Sequence, residues 1–440
     1  MAGLKEGQVI KTKDFKEVKV LRASASKLAL GGGGQGVVYK VEYDGKEMAL
    51  KWYFKNKMKN PQKFYANIEN NIKVGRPNES FLWPVDITEW VDDTFGYVMP
   101  LRPKEFSDFV KHLLAKEKFA SEKAQVNAAL NIVDGFRTLH KAGFNYQDLN
   151  DGNFFINFQT GDVLICDNDN VMGHGFAAGI AGKARYMAPE IARGDKTPDT
   201  MTDRFSLAVV LFLLFFLGHP LEGRLAIQDD PITPADEKRI YGTDPIFIFD
   251  PVNTRNAPVP QTNAIAINLW NYYPEHLRKM FIEAFNQDRL HGRIPQLLET
   301  DWLYALVYLR SEIVKCKCGV ENYPNPSGEF ACSCGTKRKI PAKLKFKKVE
   351  VPIFPGAVLY AIHTAAGIED YRNYKTETAK VVTKADNPRA MGLVNLSEAT
   401  WTLTKPDGTT EPKKKGDVAP IGLGFNINFG NNHAAEIVAN

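Results

Sequence analysis

Two short segments of this chain constrain its fold more than any bulk property. Residues 145–156 read Asn-Tyr-Gln-Asp-Leu-Asn-Asp-Gly-Asn-Phe-Phe-Ile and place Asn153 five positions after Asp148. Residues 164–169 read Leu-Ile-Cys-Asp-Asn-Asp, so Asp167 ends an apolar strand nineteen residues beyond Asp148. An Asp on a loop can accept a hydrogen bond from an attacking hydroxyl, and an Asn and a strand-terminal Asp can together hold a metal ion.

Upstream, G-x-G-x-x-G-x-V occurs at Gly31, Gly33, Gly36 and Val38. Glycine lets the backbone approach a triphosphate and present N–H donors to it. A four-glycine run can equally be a flexible loop, but this one lies between strand-like segments, whereas a dinucleotide-binding glycine motif opens a helix. Lys51 ends the alternating run Met48-Ala49-Leu50-Lys51, which suits a cation for the α- and β-phosphates. Eighteen residues later, Glu69 falls where Phe64, Ile68 and Ile72 repeat every four positions, a helix with one buried face. A carboxylate there can pair with the lysine and position it. Downstream stands Ala188-Pro189-Glu190.

In order and spacing these six motifs resemble those of the protein kinase superfamily, over about residues 15–310. The resemblance implies an α+β, bilobal fold with a small lobe at 1–101, a large lobe at 102–310, and ATP and Mg²⁺ in the cleft. It implies a Lys51–Glu69 ion pair, Asp148 orienting the acceptor hydroxyl, and Asn153 and Asp167 on magnesium. Gly31, Gly33, Gly36, Val38 and Ala49 would surround the nucleotide. Met99 would be the gatekeeper, with the Pro100 carbonyl and Arg102 amide against adenine; proline is tolerated because only its carbonyl is needed. Asp203, Phe205 and Ser206 would open a buried helix completed by the apolar run 207–217, which is shorter than the ~20 residues that span a bilayer. Glu190 would pair with Arg293. The implied activity is transfer of the γ-phosphate of ATP to Ser or Thr of a protein substrate. The alternative is an ATP-binding pseudokinase scaffold in a signalling or stress-response complex.

Four departures from the family pattern matter. Gln147 replaces the Arg that grips a phosphorylated activation loop, and residues 170–190 contain no Ser or Thr. Activity without loop phosphorylation is the expectation. Tyr146 replaces a His. Asn168-Asp169 replaces Phe-Gly: a polar Asn should weaken the apolar link between lobes, and Asp169 would either add a metal contact or face water. Asn150 stands where Ser/Thr kinases place a Lys, and Lys183 where a loop Thr is usual, so Lys183 can return the missing cation. The pattern also resembles bacterial kinases that work with a phosphatase and a von Willebrand factor A-type protein.

Behind this region, Cys316, Cys318, Cys332 and Cys334 form two C-x-C-G pairs within nineteen residues. Four thiolates on two tight turns suit tetrahedral, structural zinc, so residues 311–340 read as a zinc-ribbon-like element. Cys166, on an apolar strand, reads as buried packing. Residues 341–440 resemble a forkhead-associated-like β-sandwich, with turn signals such as Asn387-Pro388 and Pro406-Asp407-Gly408; the Arg and Ser that bind phosphothreonine are not identifiable there. At 44% hydrophobic, 24% charged and net +5, the chain suits two to four soluble domains and is too weakly basic to suggest nucleic acid. The first residues lack an apolar core, so no signal peptide or membrane span is expected. Clustered rather than scattered cysteines suit a reducing cytoplasm.

Overall fold

The computed structural model describes residues 3–55, 57, 58, 60–173, 182–227, 232–347, 349–364, 373–387, 390–430 and 433–440. Residues 174–181, in the hydroxyl-poor stretch, and Pro388 lie outside the described residues. The chain forms two compact units: Met1–Lys118, Asn131–Asn263 and Ala284–Gln296, and Phe119–Leu130, Ala264–Glu283 and Leu297–Asn440.

The first unit opens with strands β1 (Val9–Lys11), β2 (Glu17–Leu21), β3 (Ala29–Gly32), β4 (Gly36–Tyr43) and β5 (Lys46–Tyr53), then helix α1 (Pro61–Val74), β6 (Asp86–Ile87) and β7 (Gly96–Pro100). The antiparallel sheet runs β1-β2-β4-β5-β7-β6, with β3 added beside β4. Asp44 and Gly45, both at positive φ, make the tight turn that fixes the β4–β5 register from Tyr43↔Lys46 to Gly36↔Tyr53. Alternation then sorts the side chains. Val18, Val20, Val41, Leu50 and Val98 fill one face, while Ala49, Tyr53, Tyr97 and Met99 fill the other with Phe64 and Ile68 of α1. Asn60 caps α1 by accepting from the Lys63 amide at 3.2 Å, and proline occupies the first turn.

The large-lobe part of this unit is helical around Thr200–Phe216, whose residues 205–216 are all buried. This matches the expected core helix. No described helix is long and apolar enough to cross a membrane.

The second unit reaches further upstream than the sequence boundary at 310. Residues 264–283 and 297–310 belong to it, tied to each other and to the tail by ring contacts. Phe281 meets Trp302 at 4.9 Å, Tyr273 meets Tyr323 at 5.7 Å, and the Arg310 guanidinium lies 3.9 Å from the Tyr360 ring. Two small hairpins follow, Val314–Lys315 with Glu321–Asn322 and Glu329–Ala331 with Lys337–Lys339. The rest is two antiparallel sheets. One has six strands, in the order Glu350–Ile353, Ala342–Lys345, His433–Ala439, Asn426–Gly430, Trp401–Thr404 and Thr410–Lys413. The other has four: Val358–Tyr360, Glu377–Thr383, Met391–Asn395 and Val418–Pro420. Leu344, Val351, Leu403, Ile427 and Ile437 of the first sheet and Leu359, Val381 and Leu393 of the second share one apolar core around the fully buried Trp401. That is the packing of a β-sandwich.

Candidate active site

Lys51 is the centre of a buried polar cluster in the first unit. It lies on β5 opposite Tyr97 of β7 and two residues before Tyr53, so all three side chains share one face. Burial alone would lower the Lys51 ammonium, but Asp169 and then Asp167 outweigh it and hold the group above the ordinary lysine range. Lys51 Nζ donates to Asp169 Oδ2 at 2.8 Å and Oδ1 at 3.0 Å, and to Asp167 Oδ1 at 3.3 Å.

The expected Lys51–Glu69 pair does not form. Glu69 pairs with Lys13 at the surface. The cause is the rotation of α1: Phe64, Ile68 and Asn71 turn inward, and the residue after Ile68 lies about 100° around the helix. Asp169 is likewise corrected. It neither faces water nor is free for a metal, being 0% exposed and also bonded by the Tyr53 hydroxyl at 2.6 Å and the Tyr97 hydroxyl at 3.4 Å. Asn168 makes its links by hydrogen bonds rather than by apolar contact. It is fully buried, and its amide donates to the carbonyls of Leu82 at 2.9 Å and Ile165 at 3.0 Å. Hydrogen bonds stand where the family pattern has a phenyl ring.

Asp167 differs from its neighbour in being 44% exposed, so its carboxylate is open to a ligand. It adopts a left-handed backbone conformation (φ 55°, ψ 41°), which Asp tolerates better than most residues. The Tyr146 hydroxyl holds this bend by donating to the carbonyls of Cys166 and Asp167. Strand Phe154–Ile156 pairs with Val163–Ile165, and the Cys166 amide donates to the Asn153 carbonyl at 2.9 Å. Asn153 and Asp167 therefore leave the same end of one ladder. Asn153 Oδ1 accepts from the Asn150 amide at 2.6 Å, which leaves one of its two lone pairs. The pair fits a hard cation with oxygen ligands. Cys166 is buried packing, as expected.

Asp148 is pushed up to about 6 by burial first and by Asp167 second, while Lys183 and Asn150 pull it back. The loop bearing it is anchored by Asp203, which accepts from the Tyr146 amide at 2.6 Å and contacts His140 at 3.0 Å. Gln147 is buried and donates to Asn145 at 3.0 Å. Lys183 does not reach Asp148. It donates to Asn150 Oδ1 at 3.1 Å and Asp151 Oδ1 at 3.2 Å.

Around this centre, Val38, Ala49 and Met99 belong to one apolar cluster. Pro100 ends β7 opposite Met48, and the Arg102 guanidinium lies over the Phe155 ring at 4.1 Å. Gly31, Gly33 and Gly34 border open space, whereas a Cβ at Gly36 would stand 2.3 Å from the Trp52 carbonyl oxygen. Glu190 does not meet Arg293. The exposed Arg293 pairs with Asp288 across its own turn at 2.8 Å, and Glu190 Oε2 is buried without a hydrogen-bond partner among the described residues.

In the second unit the four cysteine sulfurs lie within 4.8 Å of one another, with Cys316–Cys334 at 3.7 Å and Cys318–Cys332 at 3.5 Å. A tetrahedron with metal–sulfur bonds of about 2.3 Å has edges of about 3.8 Å. Each knuckle closes by the same bond, Gly319 N to Cys316 O and Gly335 N to Cys332 O, both 2.9 Å.

Sequence reasoning missed Asp169, Tyr53 and Tyr97 as the surroundings of Lys51. The signal was present in part: Tyr53 lies two residues from Lys51, on the same face of its strand.

A protein kinase domain model matches residues 25–270, more than half of the chain. The chain is 24% identical over 229 residues to the probable serine/threonine-protein kinase PknB of Corynebacterium glutamicum, covering 47% of this chain and 34% of that protein. It is 26% identical over 178 residues to the serine/threonine-protein kinase ppk16 of Schizosaccharomyces pombe, covering 39% and 25%. With the protein kinase C delta type of Mus musculus it shares 31% over 120 residues, covering 26% and 17%. It thus matches about a third or less of the length of these relatives. The motifs, the cleft and the domain match agree: this chain belongs to the protein kinase domain family.

Proposed function

We propose that this chain transfers the γ-phosphate of ATP to Ser or Thr hydroxyls of a protein substrate. The observation that carries the reading is the gathering around an exposed Asp167 carboxylate of a charged Lys51, Asn153 and Asp148. Lys51 would hold the α- and β-phosphates, and the glycines at 31, 33 and 34 border open space for them. Asn153 and Asp167 would hold Mg²⁺, which when bound bridges phosphate oxygens and neutralises developing charge. Asp148, pushed up only to about 6, is ionised at neutral pH and can accept the hydrogen bond of the attacking hydroxyl. Lys183 bonds to the side chain of Asn150, the residue that replaces the usual lysine, and would return the cation at that place. A buried, neutral Gln147 stands where the family pattern has the Arg that grips a loop phosphate, which supports activity without loop phosphorylation.

The four cysteines would hold one structural zinc. None of the five cysteines is joined in a disulfide, which supports a reducing cytoplasm. A phosphatase and a von Willebrand factor A-type protein are the partner classes the sequence resemblance suggests. Titration calorimetry with MgATP tests the cleft: saturable binding is expected, and its absence with and without magnesium would remove the reading. Elemental analysis tests the cysteines, with one zinc per chain expected.

A further inference from the structure

In most arrangements that use a buried lysine for phosphate, the lysine must be kept charged and aimed. Here the helix that packs beside it offers no carboxylate for that purpose. Ile68 of α1 packs into the cluster that contains Tyr53 and Tyr97, and Glu69 is taken by Lys13 outside. What α1 contributes is two amides: Asn67 Nδ2 and Asn71 Nδ2 both donate to the Val171 carbonyl, at 2.8 Å and 3.0 Å. That carbonyl lies two residues beyond Asp169. The helix therefore holds the segment, and the segment holds the lysine.

An ionised carboxylate has about four acceptor positions on its two oxygens. In Asp169 all four are used. Oδ1 receives Lys51 at 3.0 Å and Tyr97 at 3.4 Å; Oδ2 receives Lys51 at 2.8 Å and Tyr53 at 2.6 Å. With no exposure and no lone pair left, Asp169 has nothing to offer a metal, in contrast to the open Asp167 two residues earlier.

We infer that Asp169 is the positioning residue for Lys51, in place of a carboxylate on α1. The inference rests on the kinase reading above for its consequence in nucleotide binding. The readiness of Lys51 is then set by the path of residues 167–171 and is independent of the charge on α1. Because Asp167 belongs to the same segment, one displacement of it moves the metal-facing carboxylate and the lysine together.

The test uses the full chain as wild type, Asp169→Asn and Glu69→Gln. One readout is acylation of the Lys51 amine by a brief pulse of acetic anhydride, followed by mass spectrometry of its peptide; this needs no activity. The other is the dissociation constant of MgATP. Asp169→Asn should speed acylation well beyond the wild-type rate, because the amine loses the hold of both carboxylate oxygens and is free to meet the reagent. It should weaken MgATP about 10- to 100-fold, by analogy with other residues that orient a ligand. Glu69→Gln should change neither. Unchanged acylation in Asp169→Asn overturns the inference, and so does an effect of Glu69→Gln as large as that of Asp169→Asn. Should Asp169→Asn fail to fold, the exposed Glu69→Gln still decides, because an altered acylation rate there contradicts independence from α1. If the wild type binds no nucleotide but Asp169→Asn still speeds acylation, the kinase reading fails and the positioning role stands.

Discussion

The cleft and the cysteine knuckles are both built from a few converging polar groups, but over very different lengths of chain. The four sulfurs come from nineteen consecutive residues, each pair on one turn closed by one amide–carbonyl bond and one glycine at positive φ. Lys51 meets Asp169 across 118 residues. A local site follows from turn chemistry, so its geometry is implied by the spacing C-x-C-G. A long-range site follows from how elements pack, and there a shift of one residue on a helix decides which carboxylate arrives. The knuckles should therefore fail alone and locally, and the cleft should fail together with the core around it.

The largest expected effect sharpens that contrast. Chelation of the metal, or Cys332→Ser, should unfold the knuckle segment, since structural zinc contributes an apparent ~10–16 kcal/mol in small domains. MgATP affinity should be unchanged. Limited proteolysis around residues 314–339 reads the first effect and calorimetry the second; loss of nucleotide binding on chelation would break the comparison.

Next is Lys51→Met. It leaves Asp169 buried without its cation, and removing one partner of a buried pair costs about 3–5 kcal/mol. Scanning calorimetry should show the first unit melting earlier while the second keeps its transition. A smaller loss is expected from Lys183→Ala, whose side chain is 60% exposed. Such a surface pair adds less than about 1 kcal/mol to stability, so melting should not move. If its ammonium acts on the transferring phosphate, kcat and kcat/KM should fall together by about 10²-fold with ATP affinity unchanged. Unchanged turnover would leave the lysine with only its contacts to Asn150 and Asp151.

A separate effect is a pH dependence confined to the second unit. Burial pushes Glu312 up to about 8, and His276, 3.5 Å away, is itself held down to about 4 by burial and supplies no charge at neutral pH. Glu122 is pushed up to about 7, by burial first, with the Tyr272 hydroxyl opposing. Both carboxyls bind protons more tightly folded than unfolded. Their contribution is fully present below about pH 4.5 and is lost as pH rises through 7 to 8. The Tm of the second unit should fall between pH 5 and 8, and Glu312→Gln should flatten that slope. A slope that is unaltered in the variant would show that burial at Glu312 is not its cause.

Much of the cleft was legible because its spacings are set by short connections. Asp148 and Asn153 share one loop, and Asp167 follows a two-strand ladder that returns to Asn153, so sequence distance fixes their geometry. The tight turn at Asp44-Gly45 and the buried helix Thr200–Phe216 were legible for the same local reasons. The partner of Lys51 was not. A repeat of four placed Phe64, Ile68 and Ile72 inside, but the rotation that buries Asn71 also sends Glu69 outward, and only packing against β5 and β7 sets that angle. The pair assigned to Glu190 and Arg293 failed alike: Arg293 sits on an exposed turn with Asp288 close at hand. In the tail, alternation and turn signals gave a β-sandwich, while the helices at 264–283 and 297–310 joined that unit through aromatic contacts that have no period in the sequence.

The account turns on whether the cleft transfers phosphate. The direct measurement is transfer from γ-labelled ATP to a generic acceptor such as casein, with magnesium, by wild type and by Asp148→Asn. The account predicts label on Ser and Thr that depends on magnesium and falls by about 10³-fold in Asp148→Asn, within the range for loss of a general base. MgATP affinity should stay within about twofold, because the interaction removed is made in the transition state. A wild type that binds MgATP yet labels no protein, or one whose labelling equals that of Asp148→Asn, would contradict it and leave a nucleotide-binding scaffold in place of an enzyme.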